Sequence, residues 1–175
     1  MANIIPFEGK TPVIHQNSFL AISADVIGDV VVGEYVNIWN NATVRGDLHY
    51  IRIGKYANIQ DGCVVHVDNP REGQPNWGPT IIGEYVTIGH GAIIHACTLE
   101  YGCLVGMGAI VLDGVVVGKG AVVGAGAVVA PNTVIPPFSL VLGTPGKIVK
   151  SLPEASINER IIHAERYWGY ALQYK

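Results

Sequence analysis

Charge is scarce in this chain. Only 14% of its residues are Asp, Glu, Lys or Arg, against roughly 25% in ordinary soluble proteins. The formal sum is -3, so there is no basic field of the kind that nucleic acid requires. No uninterrupted apolar run reaches the ~18 residues of a membrane-spanning helix. The first residues show no basic region followed by an apolar stretch, so no signal peptide is expected. Cysteine is limited to three, too few and too odd a set for a disulfide framework. A reduced, cytoplasmic setting is the expectation. Apolar residues make up 49% of the chain. With so little charge around them, part of the surface should be covered by partner chains.

What is present is a six-residue beat. Aliphatic residues fall at Val32, Ile38 and Val44, then at Ile53, Ile59 and Val65, then at Ile82, Ile88 and Ile94. A longer series follows at Leu99, Val105, Val111, Val117, Val123, Val129, Ile135 and Val141. Glycine often comes next, as at Gly33, Gly106 and Gly118, and is expected to serve the bend. A small residue sits four places on, as at Ala42, Ala92 and Ala109. A unit this short is one small strand plus one turn, the signature of a parallel β-helix. The expected fold is an all-β solenoid in which three units make a triangular coil of about 18 residues.

Residues 1–150 are assigned to this β-helix. Residues 68–80 break the beat with Pro70, Pro75, Pro79, Gly73 and Gly78, and read as a loop thrown out of one coil. Its Trp77 is a candidate cover for something beneath. Residues 151–175 are expected to form a C-terminal helix of the same domain. Ser151 and Pro153 mark its start, and Ile157, Ile161, Ala164, Trp168 and Leu172 form its apolar stripe. Gly9-Lys10-Thr11 is like the end of a phosphate-binding loop, but the glycine needed five places before the Gly-Lys pair is Ile4. Cys63, Cys97 and Cys103 read as packing residues.

Phasing the coils places Val44, Val65 and Ile94 on one corner of successive turns. The residues after them, Arg45, His66 and His95, should then stack on one face. Adjacent rungs lie roughly 4.8 Å apart, so His66 and His95 can share a metal ion. His90 follows Ile88, and with Gln60 it belongs to the preceding side of the triangle. In one chain it should point away from the other two. Copies packed around a threefold axis would bring His90 of one chain to His66 and His95 of the next. Three imidazoles with an open fourth position suit a catalytic zinc. Arg45 and Asp47 could pair across the interface or hold an anion. Gln60 could orient water, and Asn58 and Asp61 also fit turn chemistry. His15, His49 and His163 find no partner in this phasing and are read as ordinary histidines.

The set Arg45-Gly46-Asp47, Asn58-Ile59-Gln60-Asp61, His66, and Ile88-Gly89-His90 through His95 resembles the γ-class carbonic anhydrases and their carbonic anhydrase-like bacterial relatives. That resemblance implies a left-handed β-helix and a homotrimer with three interfacial zinc ions, a site that iron or cobalt can also occupy. It implies that His66 and His95 come from one chain and His90 from its neighbour. Arg45 and Asp47 match the family's interface ion pair, Gln60 its water-orienting glutamine and Asn58 a polar residue nearby. Tyr167 matches a helix tyrosine that reaches toward the site. The chain departs from the prototype at Leu48 and Asn69, where that enzyme carries glutamates used in proton transfer.

The expected activity is therefore zinc-dependent hydration of carbon dioxide to bicarbonate, slowed if no other group moves the proton. Neither nucleic acid nor membrane is expected as a partner. Three other readings stay open: a hexapeptide acyltransferase with a histidine base and no metal, an acyl-CoA thioesterase using the same metal, and a non-catalytic metal-binding trimer.

Overall fold

The computed structural model describes residues 2–73 and 77–174. The beat produces two- and three-residue strands on three faces, which the chain visits in a fixed rotation. The first face stacks Asn3–Ile5, the opening halves of Asp25–Val32 and Thr43–Ile53, then Val64–His66, Ile93–His95, Ile110–Val111 and Val128–Val129. The second holds Val13–Ile14, the closing halves of the two long strands, then Thr80–Ile82, Thr98–Leu99, Val116–Val117 and Val134–Ile135. The third runs from Phe19–Leu20 through Asn37–Ile38, Asn58–Ile59, Thr87–Ile88, Leu104–Val105 and Val122–Val123 to Ser139–Leu142. All neighbours pair in parallel until Lys147–Ser151, which adds an antiparallel edge. The result is a parallel β-helix.

Each short strand turns its aliphatic residue inward. Val44, Val65, Ile94 and Val111 are fully buried and stack in register. Ala42, Ala92 and Ala109 are buried too; their small side chains let the walls of the prism meet. The glycines split into two rows with different reasons. Gly106, directly after its aliphatic residue, faces the backbone of the next coil. A Cβ there would lie 2.5 Å from the nitrogen of Ala125, too close for any side chain. The bend itself falls two places later, at Gly108, whose φ is +65° with open space around it. The expectation that the first row serves the bend is thus corrected: it serves close approach.

The loop folds back against the second face. Trp77 donates its Nε1–H to Asp68 at 2.9 Å, carries the Arg71 guanidinium 3.8 Å above its ring, and packs beside the bend at Gly114. Pro75 lies outside the described residues. Lys10, from the rejected phosphate-loop fragment, pairs with Asp29 at 3.0 Å.

The helix spans Ile157–Ala171 after a single 3-10 turn at Glu154–Ser156. Ser151 does not start it; that residue ends the antiparallel strand. Leu172 is not part of the buried stripe either. It lies beyond the helix and is 52% exposed, while Ala171 is buried in its stead beside Phe19, Ala21 and Trp39. The helix packs on the third face over Asn37–Ile38, Asn58–Ile59 and Thr87–Ile88. Its Arg160 is buried and donates to two turn carbonyls, Gly120 at 2.8 Å and Gly102 at 3.3 Å. No helix among the described residues is long and apolar enough to cross a membrane.

Candidate metal centre

His66 and His95 end adjacent strands of the first face and are direct register partners. Their rings meet: His66 Nδ1 lies 3.1 Å from His95 Nε2. The far nitrogen of each ring is held by a carboxylate. His66 Nε2 is 2.8 Å from Asp47 Oδ1, and His95 Nδ1 hydrogen-bonds Asp113 Oδ1. An ionised carboxylate only accepts, so a ring in the neutral form that a metal ligand takes turns its N–H to its aspartate. The two facing nitrogens are then both bare lone pairs. They cannot hydrogen-bond each other, whereas a cation satisfies both. Two nitrogens about 2.0–2.1 Å from one tetrahedral zinc would lie roughly 3.3 Å apart, close to the spacing found. The donor set fits zinc, or iron or cobalt in the same role.

The electrostatics agree with that arrangement. Burial lowers the pKa of His66, only partly countered by Asp47, and favours the neutral ring that a metal needs. Burial opposes the charge on Asp47, but hydrogen bonds from His66 and Arg45 outweigh it and hold the carboxyl below its ordinary value. Arg45 donates to Asp47 within its own chain, so this ion pair closes without a neighbour.

His90 occupies the corner between the third and first faces. Its Nδ1 lies 2.9 Å from Asp61 Oδ2, and its backbone N–H donates to Gln60 Oε1 at 3.2 Å. Gln60 in turn donates to Asn58 Oδ1 at 3.2 Å, and Asn58 donates to Thr87 Oγ1 at 2.8 Å. Gln60 and Asn58 are buried, so this line of amides fixes the glutamine head. Tyr167 reaches the same place from the helix, interacts with the Gln60 side chain and has its pKa raised by burial, with Asp61 adding to the effect. Tyr167, Gln60, His90 and His163 line one cavity of about 320 Å³.

The candidate residues thus fall into two groups. His66, His95, Arg45 and Asp47 gather on the first face, and His90, Gln60, Asn58 and Tyr167 on the third. Among the described residues of a single chain, no three metal-binding side chains converge. Leu48 and Asn69, at the positions of the absent glutamates, are both exposed. The cysteines lie in the core; burial pushes the Cys63 thiol up to about 11, leaving it inert. Sequence reasoning missed Asp113. The available signal was register: Val111 pairs with Ile94, which puts Asp113 in the turn beside His95.

Comparison with known proteins bears on the family and the fold. A family model described as Dynactin subunit 5 matches residues 10–173. A protein of Methanocaldococcus jannaschii named Probable carbonic anhydrase is 51% identical over 88% of this chain and 92% of its own. One of Geobacillus kaustophilus, named Carbonic anhydrase, is 43% identical over 89% of this chain and 82% of its own. The crystal structure of a hexapeptide transferase family protein from Anaplasma phagocytophilum superposes with a TM-score of 0.90 at 35% identity, covering 99% of this chain and 98% of that one. With the repeat, the histidines and their aspartates in place, the chain belongs to the γ-class carbonic anhydrase-like family of hexapeptide-repeat proteins.

Proposed function

We propose that the chain forms a homotrimer that binds zinc between subunits and hydrates carbon dioxide to bicarbonate. His66 and His95 of one subunit would hold the ion together with His90 of the next. The observation that carries this reading is the pair of facing ring nitrogens 3.1 Å apart, each ring backed by an aspartate. Such carboxylate-backed histidines are the usual setting of a metal ligand. The division of the histidines between two faces supports a shared site, since a heterologous interface closed around a threefold axis can set one copy's first face against the next copy's third. Val64 and Ile93, 43% and 38% exposed, precede the histidine strands' ends on the first face and suit burial against another copy.

When bound, zinc supplies a Lewis acid that brings the pKa of water to about 7. The chain's own residues then have separate tasks. Asp47 and Asp113 hold the ring protons of His66 and His95 and so set the ring orientation. Gln60, fixed by Asn58 and the His90 backbone and in contact with Tyr167, presents its amide head to orient water or bicarbonate. The Tyr167 phenol stays protonated and remains a donor. Arg45, anchored on Asp47, places positive charge where bicarbonate would leave.

Metal content per chain, measured beside stopped-flow hydration of carbon dioxide, tests the proposal. A fully zinc-loaded trimer with no hydration above the buffer background would overturn it. One feature favours a second reading, thioester hydrolysis at the same metal. The cavity beside His90 is about 320 Å³ with Leu104, Val105 and Met107 in its wall, more apolar room than carbon dioxide needs. Release of thiol from short acyl-CoA substrates would detect it.

A further inference from the structure

Hydration of carbon dioxide forms one C–O bond and breaks one O–H bond, so each turnover leaves a proton that must reach solvent. The carboxylates nearest the paired histidines are already engaged. Asp47 bonds His66 and Arg45, Asp113 bonds His95, and Asp61 lies against His90. Tyr167 has its phenol pushed above the ordinary tyrosine value by burial, which makes it a poor relay at neutral pH. One titratable group in the cavity remains uncommitted in the site chemistry. His163 is half-buried on the helix, lines the same cavity as His90 and Gln60, and has its ring 5.0 Å from that of Tyr167.

We infer that His163 is the proton acceptor of the site, an inference that rests on the hydratase reading. The proton released as water adds to carbon dioxide passes to the free His163 ring nitrogen and then to buffer base. The cavity links the two residues, since its wall holds both His163 and His90. Burial, with Arg166 on the same helix acting in the same direction, lowers the imidazole pKa. His163 is therefore a neutral base above pH 7 and gives its proton up quickly. The other titratable groups facing it in the cavity are His90 and Tyr167. The role requires the helix to dock where it does, which explains why no phasing of the coils pointed to this residue.

The test uses the intact zinc-loaded trimer and the variants His163→Ala and His163→Gln. In weak buffer kcat should fall roughly 100-fold or more, the low end of the ~10²–10⁴ that a positioned proton-transfer group contributes. The ratio kcat/KM and zinc per chain should stay at the wild-type level. Added imidazole should restore kcat in the alanine variant. Proton-detected NMR of the metal-free trimer provides a second readout: the His163 ring should titrate below 6.5 and exchange with solvent. A wild type that hydrates carbon dioxide while both variants keep full kcat in weak buffer would overturn this inference alone. So would a His163 ring that does not titrate between about pH 5 and 8. A zinc-loaded wild type without hydration would overturn the hydratase reading and this inference with it.

Discussion

Two variants, His66→Ala and His90→Ala, put the shared site to a quantitative test. In the proposed trimer each removes one ligand from every site. His66 projects from the outer side of a strand and His90 sits at a corner, while the buried Val65, Ile88 and Ile94 beside them are left intact. Chain folding should therefore survive both changes, and zinc affinity should not. Now let the two trimers exchange subunits at equal concentration. A site is whole where a His90→Ala chain offers its intact His66 and His95 to the intact His90 of a His66→Ala chain. Random assembly places the right chain on each side of an interface with a chance of one half apiece. About one quarter of all sites should thus recover, one in every mixed trimer and none in the parents. Zinc per chain would be measured after gel filtration, with exchange verified by native mass spectrometry of differently tagged chains. Confirmed exchange with no recovered zinc would mean that all three ligands belong to one chain, and the assignment of His90 to a neighbour would fall.

Three further outcomes follow from particular contacts. Asp113→Asn should keep the fold and weaken zinc binding about 10–100-fold, as loss of a carboxylate behind a ligand does; competition with a chelator reads this directly, and unchanged affinity would refute the backing role. Gly108→Asn should cost less than about 1 kcal/mol, because Asn tolerates positive φ and Asn132 already occupies an equivalent bend at φ +59°. Gly106→Asn, whose Cβ would meet backbone at 2.5 Å, should cost several times more or prevent folding, and urea unfolding would rank the two. Asp29 is held below the ordinary carboxylate value: burial works against its charge, and the hydrogen bonds from Arg52 and Lys10 outweigh burial. Its contribution to stability is present above the unfolded pKa of about 3.9 and is lost as pH falls through the lowered folded value. Asp29→Asn should therefore destabilise the chain at pH 7 and flatten the acid limb of its stability curve; an unchanged curve would contradict this.

The solenoid was legible in the sequence because its constraints are local. An inward aliphatic residue every six positions, with a small residue four places later, is what a narrow three-sided prism demands of any strand-and-turn unit. Register follows from the same period. Parallel rungs stack corner on corner, so counting alone put His66 beside His95 and left His90 on another side. Three things resisted that counting. The glycines looked alike in sequence, yet Gly106 answers to the next coil's backbone and Gly108 to its own φ. Asp113 lies in a turn, where side-chain direction is not set by the beat, so its hold on His95 depends on the neighbouring rung. The tail offered a helical period but not its docking. Packing on the third face buried Arg160 on two turn carbonyls, left Leu172 outside and brought His163 and Tyr167 to the cavity at His90. Short-range repetition therefore determined the fold and the spacing of the histidines. Contacts between distant residues decided which groups orient those histidines and what faces them, because such contacts form only once the helix meets the coil.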